Sequence, residues 1–553
     1  MNEFNLIITT INSILWNDYT LYSLLLTGVV FTVWSGFSQY YALTHGVKVI
    51  RGDYDKADDP GAISHFQALS TALSATVGLG NIGGVALAIS LGGPGAVFWM
   101  WIVGFLGMAI KLTEVSLAMI HRDTSNKENP NGGPMWVVER NLIGKSPIIV
   151  FFGKLIAGIF CTALILNTIT AGNMFQAWNV ANLTQSYFGV PTVVTGCVLA
   201  ILVGAVIIGG IKRIGAVASK LVPFMLILYV LACIFVLSAN LGQIPSMLAL
   251  IVTSAFEPLE ASNAFIGGTA GYAFMYGMQR ALFSNEAGQG SSAIAHSAAK
   301  TDEPIREGVV AGLEPFIDTI VVCTMSALVI LVTGIWNRPA EINLDQTTFT
   351  QTSENIWSLE SNGSAMDSLQ NGQRVFFVYE GNLNIETGNK LQKVYGTVLQ
   401  TNGVNSISWN PIESNTKPVS NDNGLYLDYV GATLTAAAFD KVLPGLGKWL
   451  VTLASWLFAI STMISWSYYG EKGVVYLMGE KGVFLYKIMF CILVVLSTTG
   501  FIQTDAELNM FANLGTGFCI IANLPIIWLF GYQAMSSYKE YIRKLKAGAF
   551  TRS

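Results

Sequence analysis

Charge is what this chain lacks. Only 12% of its 553 residues are charged, against about 25% in soluble domains. From Phe66 to Ile110 there is no charged residue at all. Histidine is nearly as scarce: His45, His65, His121 and His296 are scattered, with no cysteine or carboxylate at metal-ligand spacing. The six cysteines (Cys161, Cys197, Cys233, Cys323, Cys491 and Cys519) lie within apolar segments. Such spacing gives neither a disulfide framework nor a metal cluster, and small buried hydrophobes are the reading that fits. No phosphate-cradling GxxxxGK[ST] motif occurs, so ATP does not drive this protein directly. No catalytic constellation occurs either, and the expectation is a protein that is not an enzyme and needs no cofactor. A net charge of -4 over this length implies no nucleic-acid partner. The first nineteen residues lack Lys and Arg, which argues against a cleaved signal peptide.

What is abundant is apolar length. Hydrophobic residues make up 52% of the chain and mean hydropathy is +0.51, values of a polytopic membrane protein. Segments of about 20 apolar residues can span a bilayer. Eleven are expected, near 20–43, 64–91, 94–120, 148–172, 192–211, 215–238, 263–282, 308–335, 447–468, 485–502 and 507–531. Basic residues follow every odd-numbered one: Lys48, Arg51 and Lys56; Arg122, Lys127, Arg140 and Lys145; Lys212 and Arg213; Lys300 and Arg306; Lys472 and Lys481; Lys539, Arg543, Lys544 and Lys546. Residues 173–191 and 239–262 contain none. The positive-inside rule then predicts an outside N-terminus and a cytoplasmic C-terminus in the cell (inner) membrane.

Within the charge-free stretch stands Thr76-Val77-Gly78-Leu79-Gly80-Asn81-Ile82-Gly83-Gly84. Each glycine costs a helix about 1 kcal/mol against alanine, and irregular backbone at membrane depth is tolerated only beside protein or a cavity. Helix 7 carries a second interruption, Gly267-Gly268-Thr269-Ala270-Gly271. Two broken helices at matching places in antiparallel halves point to a five-plus-five inverted repeat with a site between them, helix 1 being an extra span. Close helix packing is the competing account of such glycines. It suits the Gly92-Gly93-Pro94-Gly95 turn, whereas Asn81 adds a polar group that packing does not require. Residues 337–425 differ in kind, being rich in Asn, Ser, Thr, Gln and Gly. The runs Arg374–Tyr379 and Lys393–Val398 have the β-branched and aromatic bias of strands. The expected organisation is 1–336 with helices 1–8, 337–425 as a β-rich insert outside the membrane, and 426–553 with helices 9–11 and a cytoplasmic tail. The insert is read as a cap or tethered module without a transport role.

Longer blocks carry a family resemblance. Helix 2 reads ALSTALSATVGLGNIGGVA, followed by LGGPGAVFWMW and GGPM at 132–135. VIIGGIKRIG, KLVPFM, RALFSNEAGQGSSAIAHSAAKTDEPIREG, LEPFIDTIVVCTM and FAISTMISWSYYGEKG follow. In these the chain resembles the alanine or glycine:cation symporters, the sodium:alanine symporters of bacteria and archaea. The resemblance implies the leucine-transporter (LeuT) fold: an all-α polytopic membrane protein, here with eleven transmembrane helices and the β-rich insert. The chain departs from the pattern in that insert, in the run GQGSSA after helix 7, and in Met275 where an arginine is common.

A zwitterionic amino acid needs donors for its carboxylate, acceptors for its ammonium and a wall that measures its side chain. Half-helix starts and unwound carbonyls supply the first two, and Gly78, Gly80 and Asn81 offer both. The resemblance places Asn81 at the unwound point and gives Gln176 a substrate contact, against an interhelical hydrogen bond as the alternative. Phe265 and Thr269 on helix 7, and Thr462 and Trp466 on helix 9, are each spaced i, i+4 and so share a helix face, where Phe265 and Trp466 would bound the side-chain pocket. The hydroxyls of Ser461 and Thr462, facing carbonyls near Thr76 and Val77, resemble the second sodium site of the wider fold. Back-bonding to their own helix is the alternative. Glu314 and Asp318 are read as gate partners of Arg280 or Lys154, or else as proton-coupling groups. Lys111 and Glu114 are read as an interfacial, snorkelling pair. The function implied is symport of a small neutral amino acid, alanine or glycine, with sodium. The alternatives are a proton-coupled or exchange carrier of a larger amino acid such as glutamine, and an amino-acid sensor that kept the fold.

Overall fold

Apolar segments satisfy their backbone groups internally, so helices account for most of the chain. The structure is a computed structural model that describes every residue except 1–2, 57, 258, 260–262, 363–365, 367, 384–389, 402–403, 430, 503–504 and 551–553. In chain order the α-helices of five or more residues are α1 (Glu3–Leu15), α2 (Asp18–Trp34), α3 (His65–Thr76), α4 (Val85–Gly92), α5 (Gly95–Ile120), α6 (Pro134–Asn141), α7 (Pro147–Ile169), α8 (Phe175–Phe188), α9 (Thr192–Ile207) and α10 (Gly210–Ser238). After them come α11 (Ile244–Thr253), α12 (Ala270–Asn285), α13 (Ser292–His296), α14 (Pro304–Ala311) and α15 (Thr324–Val332). Beyond the strands lie α16 (Ala432–Val442), α17 (Gly447–Met478), α18 (Val483–Leu496) and α19 (Asp505–Lys546).

Among the described residues six continuous helical stretches are long and apolar enough to cross a membrane, and up to eight if two bent pairs each count as one span. The bent pairs are the α1–α2 region, at 41°, and His65–Thr76 with Gly80–Gly92, at 50°. Helices also stand at the other three expected spans, but α9, α12 and α18 hold only 16, 16 and 14 residues.

The break between α3 and α4 has local causes. Ser64 and Gln67 form a reciprocal capping box that starts α3, satisfying two donors a helix start leaves over. The helix ends at Val77, whose ψ of 92° is extended. The chain then resumes as a wide, π-type turn over Gly80–Gly84, a form frequent at functional sites. Similar turns occur at Thr170–Met174, between α7 and α8, and at Phe316–Cys323, between α14 and α15.

The expected break inside helix 7 takes another form. Phe265 and Thr269 are not helical; α12 begins only at Ala270, and Thr269 precedes it with extended ψ of 159°. The preceding stretch is held instead by a bridge between Leu259 and Gly268. The i, i+4 argument for Phe265 and Thr269 is therefore corrected: consecutive glycines unwound the whole start of the span rather than its middle.

Residues 342–427 carry eight strands: β1 (Ile342–Asn343), β2 (Gln346–Ser353), β3 (Ile356–Asn362), β4 (Arg374–Glu380), β5 (Leu391–Thr401), β6 (Val404–Trp409), β7 (Ile412–Glu413) and β8 (Val419–Leu427). They form a five-stranded sheet, β1-β8-β4-β5-β6, and a three-stranded one, β2-β3-β7. Val375, Phe377 and Tyr379 of β4 point into the insert's own core with Val394, Val398 and Leu425. Phe376 and Val378 point the other way, as the two-residue strand period requires, and pack with Tyr426 against Ala264 and Ile266 just before α12. The insert is thus docked on the helical body, with both faces of β4 buried.

A cavity at the helix break

The break in the α3–α4 pair borders a small cavity of about 10 Å³ (the space open to the centre of a water molecule), lined by Thr76, Gly78, Gly80, Gln176 and Trp466 together with Ala171, Phe283, Gln289 and Thr516. That volume suits about one water. Five of the residues expected from the sequence meet here.

Backbone amides exposed by the break are held by amide side chains. The Gly78 N–H donates to Asn81 Oδ1 at 2.8 Å. The Leu79 N–H donates to Gln176 Oε1 at 3.4 Å, and Gln176 Nε2 donates to the Ala171 carbonyl at 3.2 Å. Gln176 therefore spans two broken segments from the cavity wall. Asn81, expected to contact substrate, does not line the cavity. Its Nδ2 donates to Asp318 Oδ1 at 2.6 Å and to Ser284 Oγ at 3.0 Å. Asp318 Oδ2 in turn accepts from Ser284 at 2.7 Å and Thr319 at 2.8 Å. Asn81 is a strut that ties the unwound turn to the π-type turn at Phe316–Cys323.

Gly172 has no side chain because Trp466 occupies that space: a Cβ there would overlap its ring. The indole meets Tyr469 edge-on, with centroids 5.3 Å apart. Phe283 stacks obliquely on Phe175 at 4.9 Å. Gln289 accepts from Asn167 Nδ2 at 2.9 Å and donates to the Leu282 carbonyl at 2.7 Å, and Thr516 donates to Asn167 Oδ1 at 3.2 Å. This polar wall of Asn167, Gln289 and Thr516 escaped the sequence reading. Its members come from three distant segments and share no motif; the glutamine in GQGSSA was the one available signal.

Phe265 lines a different space. Its ring packs on Trp336 at 5.2 Å and borders a larger chamber of about 850 Å³ roofed by the insert. Neither Phe265 nor Thr269 reaches the central cavity.

For a cation the helix break offers neutral oxygens. The Thr462 hydroxyl is buried without a hydrogen-bond partner, and a Cβ placed on Gly78 would come within 2.7 Å of it. Thr76 Oγ1 makes only long bonds to its own helix, at 3.3 and 3.4 Å, and Val77 is fully buried beside it. Ser461 behaves differently. Its hydroxyl donates to the Phe458 carbonyl at 2.9 Å, while its own carbonyl accepts from Ser74 at 2.6 Å.

The charged residues assemble elsewhere and in other pairs than expected. Glu314 forms an ion pair with Lys111 at 3.3 Å and accepts from His296 Nε2 at 2.6 Å. His296 Nδ1 and His65 Nδ1 both bind Glu307. Lys111 and Glu114 are buried rather than snorkelling; Lys111 also donates to Ser292 at 2.6 Å. Glu114 accepts from Asn523 at 2.6 Å. Asp318 has the neutral partners given above, and Lys154 is exposed. Two histidines that are far apart in sequence are thus joined through one carboxylate. Burial alone would lower the His296 pKa, but Glu314 and Glu307 outweigh it and hold the imidazole at about 9.

The profile of the sodium:alanine symporter family matches residues 1–359 and 419–552. The sodium/alanine symporter AgcS of Methanococcus maripaludis is 35% identical over 550 residues, covering 99% of both chains. The putative sodium/proton-dependent alanine carrier protein YrbD of Bacillus subtilis is 31% identical over 543 residues, 98% of this chain and 93% of that one. The probable sodium/glutamine symporter GlnT of Bacillus subtilis is 35% identical over 328 residues, 59% of this chain and 66% of its relative. Among solved structures, MhsT in complex with L-phenylalanine has a TM-score of 0.49 at 12% identity, covering 87% of this chain and 96% of its own. Profile and full-length relatives agree, and the chain belongs to the sodium:alanine symporter family.

Proposed function

We propose that this protein carries a small neutral amino acid, alanine or glycine, into the cell together with sodium. The observation that carries the reading is the small cavity at the helix break, bounded by Gly78, Gly80, Gln176 and Trp466. Trp466 and Phe283 limit the side chain; Gln176 and the backbone around Gly78 and Gly80 serve the polar ends. Sodium is held by the Thr462 hydroxyl and the carbonyls around Thr76 and Val77. Ser461 contributes its carbonyl region rather than its hydroxyl, which is already engaged.

Transport follows alternating access: the unwound turns open the cavity to one side and then the other. The chain spans the cell membrane eleven times, in a five-plus-five inverted repeat preceded by one extra span, with the N-terminus and insert outside. The bulky walls at Trp466 and Phe283 support alanine or glycine over glutamine, and a cation site of neutral oxygens supports sodium over protons.

Binding of labelled L-alanine to the purified protein tests this. Affinity should rise with sodium and not with choline or with added protons. L-Glutamine should compete at least tenfold more weakly, as a pocket walled by bulky side chains requires. Binding that ignores sodium, or that favours glutamine, would overturn the reading.

A further inference from the structure

Arg280 is a buried cation that pairs with no acid among the described residues. It lies on α12 with 3% of its surface exposed, its Nη1 donates to neutral Asn509 Oδ1 at 3.2 Å, and its Nε has no partner. The guanidinium carbon sits 5.7 Å from the Phe283 ring centre. Burying an uncompensated charge costs several kcal/mol, and a charge at membrane depth marks function by default. The other arginines beside it are compensated: Arg338 pairs with Glu341 at 2.7 Å and Arg374 with Asp428 at 2.9 Å.

Arg280 lines the chamber of about 850 Å³ under the insert. With Arg338 and Arg374 so paired, Arg280 and Lys393 remain against Glu413 among the charges lining that space. Arg280 there suits the carboxylate end of a zwitterion. A guanidinium fork matches a carboxylate in two parallel hydrogen bonds. Beside it, the Gln279 amide and the Tyr276 ring, which line the same space, offer an acceptor and a π-face to an ammonium. Phe283, one turn further along α12, borders the central cavity. A molecule held at Arg280 therefore waits one helical turn from the helix break.

We propose that Arg280 marks a second amino-acid site, on the insert side of the central cavity, which holds the carboxylate of an incoming substrate before it passes Phe283. The identity of the substrate rests on the function proposed above; the carboxylate site at Arg280 does not.

The test is equilibrium binding of labelled L-alanine to the purified full-length protein in sodium, with propionate and chloride as competitors. The unaltered protein should bind about two molecules, and propionate should displace roughly one of them while matched chloride displaces neither. Arg280→Gln should bind about one, insensitive to propionate. Arg280→Lys, which keeps the charge and guards against a folding defect in the first variant, should keep the second molecule at about tenfold weaker affinity. One molecule in the unaltered protein, unchanged stoichiometry in Arg280→Gln, or displacement by chloride as readily as by propionate would each overturn the site. Absence of alanine binding alongside Arg280-dependent binding of labelled propionate would sink the substrate assignment and leave the carboxylate site standing.

Discussion

Thr462 and Ser461 are neighbours in the chain with opposite situations. The Thr462 hydroxyl is buried and unpartnered beside the helix break, while the Ser461 hydroxyl spends its proton on Phe458. An orphaned buried hydroxyl costs about 1–3 kcal/mol, which a sodium ion in contact would relieve. Thr462→Val should therefore weaken the sodium dependence of alanine uptake about tenfold or more, while Ser461→Ala changes it little. Sodium titrations of both variants decide the matter, and equal effects would reject the distinction. His296 gives a second residue-scale prediction. Its folded pKa of about 9 lies above the ordinary value of 6.5. Its contribution to stability is thus complete below 6.5, and fades as pH rises through about 9. Thermal unfolding of the wild type should weaken across that window, and His296→Gln should lose the pH-dependent part. A profile identical in both proteins would contradict the pairing with Glu307 and Glu314. At this scale the sequence was most legible where composition was extreme. Glycines and one asparagine in a charge-free stretch exposed the break, and Trp466 and Gln176 came with recognisable motifs. It was least legible for charge partners. Lys111 meets Glu314, and His65 meets Glu307, across some two hundred residues of chain that no local pattern connects.

Among the elements, the turn from Gly78 to Gly84 is fixed by a strut rather than left loose. Asn81 caps Gly78 and anchors to Asp318, so two distant irregular turns are tied together. Asp318→Asn keeps the shape but removes the acceptor charge. Expected results are a loss of about 1–3 kcal/mol in stability and reduced alanine affinity, read by thermal unfolding and equilibrium binding. Undiminished affinity would show that the strut does not shape the cavity. Gly78→Ala places a Cβ 2.7 Å from the Thr462 hydroxyl, so that side chain must turn away from the helix break. Sodium-dependent binding should be lost while the protein still inserts and folds. The periodic helices were legible because a span must be apolar along its length. The unwound start of α12 was not, because a glycine cluster signals a break without saying on which side helix resumes. Phe265 and Thr269 were misplaced for that reason.

For the whole molecule, the insert is the feature that sets this chain apart. The family profile passes over residues 360–418, yet the insert packs by Phe376 and Val378 on the segment before α12. Its strand bias was legible; its docking was not, because the outward face of β4 is as apolar as the inward one. Its ends are adjacent, with Ile342 paired to Leu425, so the segment between them can be replaced by a short linker. Removal should leave sodium-driven uptake in place, with a raised KM for alanine because Arg374 and Lys393 leave the chamber. A protein that inserts correctly but no longer transports would refute the account of the insert as a cap. In the function proposed above, the cavity at the broken helix couples a small amino acid to sodium. The measurement that meets it most directly is uptake of labelled L-alanine into proteoliposomes under an inward sodium gradient, with choline and an imposed proton gradient as controls. The account predicts accumulation above the outside concentration with sodium alone. Equilibration without accumulation, or accumulation driven by protons in the absence of sodium, would contradict it.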